Sequence, residues 1–300
     1  MKARRKFISA GHATSIYALC PGVIPGTIIS GSGDKHIAQW NVKDGTQDKF
    51  SARFPSPVFS LLHLKSFSQL WVGTANGHIH VLDTDKKQEI HAFAFHSAQV
   101  FDISFSAADN AVFTCAGDGT VAVFDPHKLC NLHFRKFSEN KIRSLDFYDD
   151  LILLAEGSGK TILIQSDQFQ PLRSFQTDKF ATNCYYVDKS NRRLVSGGRD
   201  AHLRMWDLAV DFQPLMDFPA HHFAIYKILY AENHHFFITA SRDKSIKIWS
   251  DNFAPLLKIT KESHHSHAYS VNTLCWMEEE NILVSAGDDR LLMGWELLLD

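Results

Sequence analysis

The chain has 300 residues, 45% of them hydrophobic and 21% charged, enough to build a large core and too apolar for a disordered tail. Thirty-one lysines and arginines against 33 aspartates and glutamates leave a net charge of −2, which argues against a globally basic nucleic-acid binder. No run reaches the roughly 18 to 20 apolar residues of a membrane helix, so no membrane association is expected. Five cysteines without a CxxC pair read as free thiols in a reducing compartment, and the expected location is cytoplasmic.

In chain order, the basic start MKARRK is followed by FISAGHATSIYALC. Gly11, His12 and Thr14 break this stretch before a signal-peptide core of about 7 apolar residues can form. Ala3 to Ser9 instead has strand length.

Seven apolar runs then recur: GTIIS, QLWVG, AVFTC, LILLA, RLVSG, FFITA and NILVS. Each is followed by a polar turn and a second run: HIAQW, HIHVL, TVAVF, TILIQ, HLRMW, SIKIW and LLMGW. The last bulky residues of the second runs are Trp40, Leu82, Phe124, Ile164, Trp206, Trp249 and Trp295, spaced by 42, 42, 40, 42, 43 and 46 residues. β-Branched and aromatic residues between turn residues indicate strands. A period near 42 holds about four strands, one propeller blade.

Counting back from these markers, Asp34, Asp118, Asp200, Asp243 and Asp289 stand six residues earlier. Ser30, Thr114, Ser196, Thr239 and Ser285 stand ten earlier, and His12, His96, His221 and His267 twenty-eight earlier. One copy resembles a hydrolytic triad. Repetition favours a buried hydrogen-bond chain from indole to hydroxyl to imidazole to carboxylate, one per blade. Blades one, six and seven have all four groups. Phe124 replaces the tryptophan of blade three. Asp178 replaces the histidine of blade five, which keeps Trp206. Blades two and four have lost the set and are expected to be softer.

Three other features read as structural. Gly157 to Thr161 spells GSGKT, but Leu154 stands where a phosphate-binding loop needs its first glycine, and TILIQ continues as strand. His264, His265 and His267 cluster, yet His267 already belongs to a blade network, and no metal or cofactor is expected. Cys20, Cys184 and Cys275 sit among apolar residues as small hydrophobes.

The repeat resembles the WD-repeat family, whose unit carries Gly-His near its start and Trp-Asp near its end. Gly11-His12 and Trp206-Asp207 match literally; Phe124-Asp125, Leu82-Asp83 and Trp295-Glu296 match approximately. The resemblance covers nearly the whole chain. It implies an all-β, seven-bladed propeller of four-stranded antiparallel blades, a single domain over 1–300. It also implies closure by the N-terminal strand pairing in the last blade.

In that family, partner-contact positions lie three and five residues after the network histidine and just before the turn aspartate. Carried over by position, they give Tyr17, Phe59 and Phe101 as an aromatic arc with small neighbours. Lys141, Arg143, Arg199, Tyr226 and Arg242 form a basic arc. The function this implies is a non-enzymatic scaffold, monomeric alone, that binds a protein or peptide segment apolar at one end and acidic at the other. The alternatives are a nucleic-acid or phospho-ligand binder on the arginine arc, with nucleic acid disfavoured by the net charge, and a hydrolase, for which no converging acids are found.

Overall fold

A computed structural model describes residues 1–298; Leu299 and Asp300, inside the expected 1–300 span, lie outside the described residues. The fold is an all-β, seven-bladed propeller. Each blade is one four-stranded sheet, and six of the seven sheets take their strands in sequence order. The seventh joins the N-terminal strand Lys2–Ala10 to Leu291–Leu298, ahead of Ile282–Gly287 and Val271–Met277. That pairing is antiparallel and runs from Lys2 opposite Leu298 to Ala10 opposite Leu291. The expected strand at residues 3–9 is therefore one residue longer at each end, and it closes the last blade.

The chain divides into two compact units. Met1–His63 with Tyr226–Asp300 carries blades one and seven and most of blade six; Leu64–Ile225 carries blades three to five and most of blade two. In each unit the core lies between consecutive sheets. In the first, Ile16, Ile28 and Trp40 pack with Cys275, Val284 and Leu292. In the second, Phe113, Val121 and Val123 pack with Leu145, Ile152 and Leu154. The second strand of a blade is buried throughout, as in Ala111–Ala116 and Ile282–Gly287, or at all but its first residue, as in Leu151–Glu156 and Arg193–Gly198. It is covered on both faces, which explains why these runs are nearly continuous in apolar residues.

The turn between second and third strands needs one left-handed residue, directly after the turn aspartate. Lys35, Gly119, Ala201, Lys244 and Arg290 hold φ from 68 to 78° there. Gly119 is obligatory: a Cβ would sit 1.8 Å from the Ser138 carbonyl oxygen. Gly157 to Thr161 occupies the same turn in blade four and runs straight into the strand Lys160–Gln165. No helix precedes or follows it that could cradle a phosphate.

The outer strands are open edges and carry their own protection. Their pairing shifts register at Leu163/Ile164, Met205/Trp206 and Ile248/Trp249, opposite Pro171, Pro214 and Pro255. Proline and a bulge both spoil an edge as a template for further strands.

Candidate functional site: networks, bulges and the loop side chains

In blade seven, His267 Nδ1 donates to Asp289 Oδ2 at 2.8 Å, and Nε2 lies 2.8 Å from Ser285 Oγ. The Trp295 indole donates to the same hydroxyl at 2.9 Å. Blade one repeats this at 2.9, 2.7 and 2.8 Å with His12, Asp34, Ser30 and Trp40. The carboxylate fixes the tautomer, so Nε2 accepts the serine proton and the indole takes the other side of the hydroxyl. Burial pushes His12 below the ordinary histidine range, although Asp34 pulls it back. Burial also opposes the charge on Asp34, yet the Ala13 amide and His12 hold its pKa below the usual carboxylate value. In blade six, the Trp249 indole donates to Thr239 Oγ1 at 2.9 Å. Asp243 accepts from the Ser245 amide at 3.0 Å and hydroxyl at 2.6 Å, and His221 is buried.

Blade three inserts a relay. His96 Nε2 meets Thr114 Oγ1 at 2.8 Å, but Nδ1 meets Thr120 Oγ1 at 2.5 Å, with Asp118 at 4.0 Å. Thr120 passes the contact on to Asp118 at 2.5 Å. Phe124 fills the indole's place without a donor.

Blade five needs a correction. Asp178, 1% exposed, takes the histidine's place and accepts from Arg204, Thr182 and Ser196. Arg204 reaches in from the third strand, donates to Asp200 at 2.8 Å, and lies 3.2 Å from Asp217. With the arginine in the slot, Trp206 Nε1 is buried with no partner and does not join the network expected of it. Its ring packs edge-on to Phe175 instead. Arg204 was missed in the sequence, although an arginine among inward positions of HLRMW, matched to an aspartate in a histidine slot, is a compensating signal.

Blades two and four contain other polar bonds. In blade two the Trp71 indole donates to Gln69 at 3.0 Å, and Thr74 to Asn76 at 2.7 Å. In blade four Glu156 accepts from Ser138, Asn140 and the Ser158 amide at 2.6, 2.6 and 2.8 Å. The Thr161 hydroxyl of blade four meets those of Thr177 and of Tyr185, the latter on the first strand of blade five, in a further buried chain.

The loop positions have a shared backbone cause that the sequence does not display. The first strand of a blade skips one residue in its pairing to the second. That residue is Tyr17, Phe101, Arg143, Asn183 and Asn272 in blades one, three, four, five and seven. A bulge re-aims one side chain out of the alternating pattern. Two of these side chains then tie neighbouring strands: Asn183 donates to the Ile225 carbonyl at 2.9 Å, and Asn272 to that of Ile16 at 3.1 Å.

In the first unit, Tyr17 stacks on Phe59 at 4.6 Å with the planes 5° apart. In the second, the Arg143 guanidinium lies 4.8 Å from the Phe101 ring centre. One member of the expected aromatic set and one of the basic set therefore form a cation–π pair. The turn glycines lie beneath the rings: a Cβ on Gly33 would be 3.3 Å from Tyr17, and on Gly117 3.2 Å from Phe101. Lys141, Arg199 and Arg242 are exposed, and Tyr226 is half-buried.

Chemically reactive features are few. Cys20, Cys115, Cys184 and Cys275 are buried and Cys130 is exposed; burial pushes the Cys275 thiol up to about 12. Among the described residues, no three histidines, cysteines or acids are placed to hold a metal ion. No helix among them is long and apolar enough to cross a membrane.

The family model described as "WD domain, G-beta repeat" matches residues 87–125, 169–207, 212–250 and 258–296, a little more than half of the chain. The protein belongs to the WD40 family, whose propellers are typically non-catalytic scaffolds that bind protein partners. It is 22% identical to Protein tipD of Dictyostelium discoideum over 314 aligned positions, which cover 98% of this chain and 49% of that protein. The chain thus spans about half the length of that curated relative.

Proposed function

We propose that this protein is a non-enzymatic scaffold, acting in the cytoplasm as a single monomeric propeller domain, that docks a protein or peptide segment on loop side chains. The observation that carries this reading is the recurring bulge. It turns Tyr17, Phe101 and Arg143 out of their strands at equivalent positions, and aromatic and arginine side chains dominate binding hot spots. Phe59, Lys141, Arg199, Tyr226 and Arg242 are assigned to the same role by position. The His/Ser/Asp sets supply rigidity rather than chemistry, because each is closed on itself and repeated.

The test is co-purification of the tagged protein from its own cells, followed by binding of the purified partner to Tyr17→Ala, Phe101→Ala and Arg242→Glu. At least one substitution should weaken binding tenfold or more. A genuine partner that binds all three like the wild type removes the reading.

A further inference from the structure

The second unit exposes two large aromatic side chains on neighbouring loops, at a position the family pattern does not single out. Phe180 is 49% exposed and Phe223 58% exposed. Each stands two residues after the slot residue of its blade, Asp178 and His221 respectively. In the first unit, Tyr269 holds the same position after His267 and is 60% exposed. Position alone would not predict this, since Thr14 and Ala98 fill it in blades one and three.

Backbone bonds bring the loops of the second unit together. The Arg199 amide donates to the Ala181 carbonyl at 2.8 Å, next to Phe180. Two residues on, the Ala201 carbonyl accepts from the Ala220 and His221 amides, both at 3.0 Å, at the base of the loop that carries Phe223. Asn183 closes the far side on Ile225. Phe180 and Phe223 therefore flank the Arg199 turn.

The charge of this patch has one sign. Arg199 is exposed, and the Lys179 ammonium lies 5.6 Å from the Phe180 ring centre. The two carboxylates of these loops, Asp178 and Asp200, point inward and are both held by Arg204. Two cations and two aromatic rings face outward, with His222 exposed beside Phe223, on strands stiffened by a buried ionic network.

We propose that this patch, Lys179, Phe180, Arg199 and Phe223, docks an acidic peptide segment of a protein partner, an apolar side chain of the segment entering between the rings. This rests on the scaffold reading above and moves its centre to blade five. Two cations suit two carboxylates; sequence-independent nucleic-acid binding depends on many more phosphate contacts. Complementary charge at an exposed rim speeds association and gives it salt dependence, while the aromatic anchors carry affinity.

The experiment is selection of random 12-residue peptides displayed on phage against the full chain. Fluorescence polarisation of the enriched peptides follows, on the wild type and on Phe180→Ala, Arg199→Glu and Lys179→Glu/Arg199→Glu. Enriched peptides should carry several Asp or Glu and a large apolar residue. Affinity should fall at least tenfold in each of these three variants with the thermal midpoint unchanged, since Lys179, Phe180 and Arg199 are exposed. Acidic peptides that lose affinity on Arg143→Glu and keep it on Phe180→Ala and Arg199→Glu overturn the location and leave the scaffold reading intact. Tighter binding of a 12-nucleotide oligothymidylate to the same residues overturns the peptide. Failure to enrich any peptide overturns the inference, and the co-purification experiment then decides the scaffold reading separately.

Discussion

Blades three and five belong to the same compact unit and fill one structural slot with opposite chemistry. Eighteen residues before Thr114 stands a histidine, His96; eighteen before Ser196 stands an acid, Asp178. His96 is bonded to two threonine hydroxyls, of which Thr120 passes the contact on to Asp118. Asp178 brings a charge and needs a cation, so Arg204 replaces the small Ala122 of blade three at the matching third-strand position and leaves the Trp206 indole without a partner. The slot requires polar closure rather than one set of residues. An ionic closure is the more fragile, because removing one partner leaves an uncompensated buried charge.

The largest expected effect breaks that closure. Arg204→Ala should lower stability by about 3–5 kcal/mol, read as a fall in the urea midpoint of the full chain. Asp178→His with Arg204→Ala rebuilds the set of blade one and should recover at least half of the loss. Equal losses in the single and double variants would show that the two slots are not interchangeable.

The pH dependence of the two slots sharpens the contrast. Burial lowers the His96 pKa to about 4. The unfolded chain takes up the proton near 6.5 while the folded state refuses it, so this slot's stability is complete above pH 6.5 and is lost as pH falls toward 4. At pH 5 the loss is about 2 kcal/mol. His96→Gln should therefore cost less relative to wild type at pH 5 than at pH 7, by about that amount in paired urea titrations. Asp178 runs the other way. Burial raises its carboxyl to about 6, against the pull of Thr182 and Arg204, so its folded state gains stability as pH falls through 6 toward 3.8.

A smaller effect separates the tryptophans. Trp295→Phe removes an indole donor that Ser285 receives at 2.9 Å and should cost about 1–2 kcal/mol. Trp206→Phe removes a donor with no acceptor and should cost under about 0.5 kcal/mol or stabilise slightly. Equal thermal shifts in the two variants would restore Trp206 to a network.

These contrasts also show what the amino-acid sequence discloses. The strand runs, their period and the closing N-terminal strand are legible because burial on both faces demands continuous β-branched and aromatic residues between turns. The four-membered networks are legible where histidine, hydroxyl, acid and tryptophan are all present. Thr120 is not, because a threonine two residues after a turn aspartate looks like any solvated turn residue until its hydroxyl is seen between His96 and Asp118. The bulges at Tyr17, Phe101 and Arg143 leave no residue signature, since one unpaired position changes only register. The Tyr17–Phe59 stack joins side chains 42 residues apart, and only the packed sheets bring them face to face.

The smallest expected effect concerns blades two and four, which lack the histidine networks. They are expected to be softer than blades six and seven, but their replacement bonds narrow the gap. Glu156 gathers donors from three residues and the Thr161–Thr177–Tyr185 chain is fully buried, whereas blade two relies on neutral amide bonds such as Trp71 to Gln69 and Gln69 to the Pro126 carbonyl. Amide exchange in the second strands should thus rank blade two fastest and blade four intermediate. Blades six and seven should be slowest, with steps of roughly tenfold or less, equivalent to about 1.4 kcal/mol of local opening energy. Tyr185→Phe should bring blade four down to the level of blade two, because it removes one hydroxyl of the chain and leaves the ring packing in place. Equal protection in all seven second strands would mean that packing between the sheets alone sets their stability, with the polar slots, neutral or ionic, deciding register rather than strength.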